Sequence, residues 1–153
     1  MPEPEVVPEP GGFRSVHETR GTVPRRAMYV YRAPFQLRLR LEFPETGAVT
    51  TVLFLLQPED ADSTRVHTRV LVSAGPGAPL PAPDVVAEEV AARRRMLAED
   101  LDLQGRLAAA GLPLQLRDEL HLPSDRPGVA LRRTLADFAA GRGRFARRDG
   151  AAS

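Results

Sequence analysis

The stretch FQLRLRLEF carries the plainest pattern in the chain. Phe35, Leu37, Leu39, Leu41 and Phe43 alternate with Gln36, Arg38, Arg40 and Glu42. That period of two is what a strand with one buried and one wet face requires. It predicts one strand over residues 28–43, with Pro34 marking an edge position or a bulge. PETG at 44–47 is a turn, since Pro and Gly both favour one. Residues 49–56 read as a second strand, apolar enough to be covered on both faces. PEDADS at 58–63 is a polar turn. Residues 64–73 form a third strand, with Val66, Thr68, Val70 and Val72 on one face against Arg65, His67, Arg69 and Leu71. A shorter strand over residues 13–20 ends at Gly21, before Pro24. Short turns between successive strands predict an antiparallel meander.

The period then changes. After a Gly/Pro-rich loop at 74–83, Asp84 is placed to cap a helix running to about Ala110, with Gly111 and Pro113 as stops. Met96, Leu97, Leu103 and Leu107 recur at helical spacing and predict a buried stripe. Asp100 falls inside it. A carboxylate on a buried face must be paired, hydrogen-bonded or bound to a metal. An arginine partner is the commoner answer, and a ligand role is the other. Residues 112–122 alternate weakly and read as extended or loop. Asp125 caps a final helix over residues 127–140, with Leu131, Leu135 and Phe138 on one face and Gly141 as its stop. The ends differ from this middle. Residues 1–12, MPEPEVVPEPGG, read as disordered or a linker, and residues 141–153 as a flexible basic tail. Strands first and helices last imply an α+β domain over residues 13–140, its sheet curling against the long helix with a pocket between them.

Composition narrows the function. A chain of 153 residues, 42% hydrophobic and 27% charged, is one globular domain's worth of sequence. No apolar run reaches the roughly 20 residues that cross a bilayer, so no membrane role is expected. The absence of cysteine excludes thiolate metal sites in this chain. With no signal-peptide pattern, the expected compartment is cytoplasmic. All 21 basic residues are arginine, and lysine, isoleucine and asparagine are missing, as a GC-rich coding bias produces. The arginine clusters at 93–95 and 142–148 are discounted for that reason, and no nucleic-acid partner is expected. His17, His67 and His121 show no metal-ligand spacing. His67 lies on the polar face of its strand. Nucleophile, phosphate-loop and dinucleotide motifs are lacking, and the glycines at 75–77 and 141–143 are ordinary loop residues.

Several segments, in order, resemble the C-terminal part of Rieske-type non-haem iron oxygenases, the ring-hydroxylating and demethylating α subunits. YRAPFQLRLRLEFP resembles the strand entering that family's catalytic sheet. VLFLLQPEDADSTRVHTRVLVS resembles an apolar strand, a QP turn and a strand introduced by STR. MLAEDLDLQ resembles the helix carrying ED and then a glutamine, and LPLQLRDELHLPSDRPGVALRRTLADF resembles the C-terminal helix and its approach. The resemblance implies a helix-grip fold, a curved antiparallel sheet wrapped over a long helix around an apolar cavity. It implies a mononuclear Fe(II) held by two histidines and one carboxylate, and it puts the carboxylate on Asp100, with Glu99 off that face. It also implies a hydrophobic, often aromatic substrate, an electron-donating reductase and a homotrimer. The family's close histidine pair and its Rieske domain, which holds the [2Fe–2S] cluster, have no counterpart here. The chain is therefore expected to be a fragment of the catalytic domain, inactive alone, with Phe35, Leu37, Leu39 and Phe54 lining core or pocket. A non-catalytic module of helix-grip type that binds an apolar ligand is the alternative, and an assembly role the third reading.

Overall fold

Alternating strands joined by tight turns build one sheet, and two helices close over it. The structure is a computed structural model that describes residues 4–19, 23–60, 62–106, 114 and 120–142. Six strands, β1 (Glu5–Glu9), β2 (Gly12–Thr19), β3 (Arg25–Arg32), β4 (Gln36–Phe43), β5 (Ala48–Pro58) and β6 (Thr64–Ser73), pair in chain order. Every pairing is antiparallel. Helix α1 (Pro83–Gly105) and helix α2 (Arg126–Ala139) follow, the second entered through a 3₁₀ turn at Pro123–Asp125. This is the predicted α+β meander with a curved sheet, a long helix and a C-terminal helix. Among the described residues, no helix is long and apolar enough to cross a membrane.

Two strand expectations change. Residues 28–43 are not one strand but a hairpin, β3 and β4, turning at Ala33–Phe35 with a cis Ala33–Pro34 bond. Proline cannot donate to a ladder, so the chain turns where Pro34 stands. Phe35 is in that turn and exposed, and its carbonyl accepts the Leu56 N–H at 2.9 Å. Segment 1–12, expected to be disordered or a linker, supplies edge strand β1, in register with β2 from Glu5 opposite Val16 to Glu9 opposite Gly12. Its Val6 and Val7 have a ladder to join, which composition alone does not reveal.

The register sets the core. Phe13, Tyr31, Leu37, Phe54 and Thr68 form one row across the sheet. Ser15, Tyr29, Leu39, Val52 and Val70 form the next, on the same face because side chains two apart share a side. Phe13, Tyr31, Val52, Leu41 and Ala27 on this face are buried. The Phe13 and Tyr31 rings lie 5.6 Å apart. Gly12 fits here because a Cβ would meet the Tyr31 carbonyl oxygen at 1.9 Å. The other face carries the arginine and glutamate ladder. Glu42 accepts Arg40 Nε at 2.8 Å and Arg26 Nη1 at 3.3 Å, and Glu9 pairs with Arg32 and Arg14. β5 is thus covered on one face, not both; its outward Leu55 is exposed.

Both helices pack on the apolar face, α1 toward β6 and α2 over β1 and β2. The N-cap of α1 is Ala82, with no side-chain cap bond, and Asp84 sits in the first turn. Asp125 does not cap α2 through its side chain. Its carboxylate instead accepts the Leu122 N–H at 2.8 Å, fixing the 3₁₀ turn. At the far end of α2, Gly141 takes a φ of 64°. Its N–H bonds the Phe138 carbonyl and that of Arg142 bonds the Asp137 carbonyl, the paired closure that glycine allows. α1 is described to Gly105 with Arg106 as its C-cap; the rest of the helix expected to run to about Ala110, most of segment 112–122 and the tail beyond Arg142 lie outside the described residues.

Candidate functional site

A cavity of about 450 Å³ lies between the sheet's apolar face and α1. Its floor is Leu37, Leu39, Val52, Phe54 and Val70, and its roof comes from Val90, Arg93, Leu97 and Asp100. Mostly apolar walls with a few polar groups are what a small-molecule site needs. The strand pattern predicts this floor, because Leu37, Leu39 and Phe54 all fall on the inward rows. Tyr29 and Thr68 also line the cavity. Thr68 is legible in the alternation of β6. Tyr29 is not, because the β3–β4 hairpin is what folds it back beside Leu39.

The roof corrects the predicted stripe. Val86, Val90, Arg93 and Leu97, with Glu89 and Ala92 beside them, are the half-buried positions along α1. Val86, Val90, Arg93 and Leu97 recur at intervals of three and four and form the side turned to the sheet. Met96 and Leu103 lie on its flank and are exposed. Asp100 continues the sheet-facing series three residues after Leu97, yet it too is exposed, because it stands at the open end of the cavity. Leu107 is outside the described residues. Asp100 makes no ion pair and no hydrogen bond with the described residues. The arginine partner expected of a buried carboxylate is not seen among the described residues, and Asp100 is exposed, not buried. Arg93 instead donates from Nη2 to Glu89 at 3.0 Å, while its Nε is shielded from solvent with no acceptor among the described residues. Leaving such a donor unsatisfied costs about 1–3 kcal/mol.

The histidines do not join this site. Nε2 of His17 lies 3.4 Å from the Ser15 hydroxyl, and its ring packs edge-on to Tyr29 at 5.7 Å. His67 is exposed on the polar face and shares a 3.0 Å contact with Gln57. His121 lines a different cleft, of about 850 Å³, between the β1–β2 turn and α2. That cleft is larger, but its acids are already engaged: Glu9 by Arg32 and Arg14, Asp137 by Arg142 at 3.2 Å. The Arg32 hydrogen bond, helped by Arg14, holds the Glu9 carboxyl below the usual range. Among the described residues no group of three His, Asp or Glu side chains comes together to hold a metal ion. Asp100 is a single free carboxylate at the cavity mouth, and this chain's described residues do not compose an iron site by themselves.

A curved antiparallel sheet with a long helix and a C-terminal helix, and an apolar cavity under the long helix, makes this an α+β domain. The chain belongs to the family described as the vanillate O-demethylase oxygenase C-terminal domain, whose sequence model matches residues 3–141. That domain is part of a Rieske-type oxygenase. Comparison with curated proteins finds no match.

Proposed function

We propose that this domain is the substrate-pocket portion of the catalytic domain of a Rieske-type non-haem iron oxygenase. In the complete enzyme the cavity under α1 takes an aromatic or other apolar substrate for O₂-dependent hydroxylation or demethylation. Asp100 is the carboxylate that the domain contributes to the mononuclear Fe(II). The observation that supports this reading is the position of Asp100, an acid with no ion-pair partner among the described residues, lining an apolar cavity from the helix segment MLAEDLDLQ that resembles the family's ED helix. The described histidines supply no partner ligands, so no reaction step is assigned to this chain alone. The same reading includes a cytoplasmic oxygenase, an electron-donating reductase, the [2Fe–2S] cluster of a separate Rieske domain, and a homotrimer.

Filling the cavity tests the pocket. Val70 is on its floor, and Val70→Trp in the oxygenase carrying this domain is expected to lower substrate-dependent O₂ consumption by about tenfold or more, since overfilling a packed site displaces its ligand. Iron content should not change. Unaltered turnover by a folded Val70→Trp enzyme would remove the cavity from the reaction. A metal-free binding module is the second reading, favoured by the lack of a metal-ligand cluster among the described residues. It predicts ligand-dependent stabilisation of the chain with no metal added.

A further inference from the structure

Helix α2 meets the sheet mainly at β1 and β2, and none of its residues is buried. The gap left there is the cleft of about 850 Å³, and no residue lines both it and the cavity under α1. Gly11, Gly12 and Ala130 all line the gap, so too little side-chain volume is present to close it. Register puts Val6 and Pro8 on the inward side of β1, opposite Ser15 and Phe13. With Phe13, Val129 and Ala130 they make the apolar part of the cleft. Arg133 lines it too, one turn of α2 beyond Val129 and Ala130. Its side chain is exposed and makes no ion pair or hydrogen bond among the described residues. Asp137, the acid one turn further on, is held by Arg142 at 3.2 Å, and Glu9 by Arg32 and Arg14. The cleft therefore joins an apolar wall to a cation whose neighbouring acids are already matched.

We propose that this cleft is a ligand site separate from the cavity under α1, and that it takes an anionic amphiphile: an apolar chain laid against Val6, Phe13 and Val129, with a carboxylate on the Arg133 guanidinium. The inference does not depend on what the cavity under α1 binds. A guanidinium offers a planar carboxylate two parallel N–H bonds, which a neutral hydroxyl cannot match. Solvent screens an ion pair at an exposed arginine, so the apolar chain supplies most of the affinity and the charge sets the preference for an acid. Filling the gap also gives the half-buried side of α2 contacts that it lacks alone. Binding is therefore coupled to the docking of α2 on the sheet.

Calorimetric titration of the 153-residue chain with octanoate and with 1-octanol tests this. The two probes share an apolar chain and differ in the charge of the head. Octanoate should bind about fivefold more tightly at low ionic strength, the upper range for an exposed ion pair. That margin should shrink in about 1 M NaCl. Arg133→Met should remove the preference and leave octanol affinity unchanged, and Arg133→Lys should keep part of it. Ala130→Phe, which fills the gap, should weaken both probes. Octanoate should also slow amide hydrogen exchange across α2 and leave α1 unaffected. A preference that survives Arg133→Met, or one that is lost in Arg93→Met, puts the acid elsewhere and overturns the assignment. Equal binding of the two probes overturns the role of Arg133. Protection confined to α1, or binding of neither probe, overturns the site itself.

Discussion

Asp100 is exposed and has no ion pair among the described residues, which separates it from Glu9 and Asp137, the acids of the larger cleft, each bound by arginine. A carboxylate with no partner beside apolar walls is available to a ligand. Tyr31 is the opposite case. It is almost fully buried, with 2% of its surface exposed, and its hydroxyl donates to the Pro34 carbonyl at 2.9 Å. Burial pushes its phenol up to about 12 from an ordinary value of 10.0. The protonated form is neutral, so below pH 10 folded and unfolded chains both keep the proton and stability is unaffected. Between pH 10 and 12 the unfolded chain loses its proton first, and stability should fall by about 3 kcal/mol. Urea unfolding across that range should show the fall, and Tyr31→Phe should lack this part of it. Asp100 was legible in sequence through its place in the helical pattern. Its exposure was not, because periodicity gives the side of a helix a residue occupies and not how far a partner surface extends.

At the scale of elements, alternation locates β4, β5 and β6 closely, and the composition of residues 1–12 hides β1. An edge strand of Glu, Val and Pro carries little pattern, and only pairing with β2 orders it. The β3–β4 hairpin was obscured for a different reason. MYVYRAPFQLRLRLEF keeps suitable strand residues on both sides of its turn, so Pro34 was the one local mark of reversal. For α1, the apolar residues suggested a stripe through Met96 and Leu103, whereas packing uses Val86, Val90, Arg93 and Leu97. The two sides overlap at Leu97, and aliphatic content could not choose between them. An arginine on the packed side also misleads a hydrophobicity pattern, since its stem covers apolar surface while its head seeks acceptors. The consequence is measurable in the isolated chain. Leu103 is 63% exposed, so Leu103→Glu should change unfolding free energy by less than about 0.5 kcal/mol. Leu41→Ala, in the core at 5% exposure, should cost about 2–5 kcal/mol.

Across the molecule's described residues, one face of a six-stranded sheet carries most of the buried apolar side chains, with one cavity under α1 and a cleft beside α2. The opposite face is an arginine–glutamate lattice that supports the sheet. The acids of the larger cleft, Glu9 and Asp137, are held by arginines; at the smaller cavity Asp100 has no ion-pair partner among the described residues. The most direct measurement is the iron content of the oxygenase carrying this domain, before and after Asp100→Ala, with the visible spectrum of the [2Fe–2S] cluster as internal reference. Loss of the mononuclear iron with an unchanged cluster spectrum is the result expected if Asp100 is its carboxylate ligand. Full retention of that iron in Asp100→Ala would contradict the assignment.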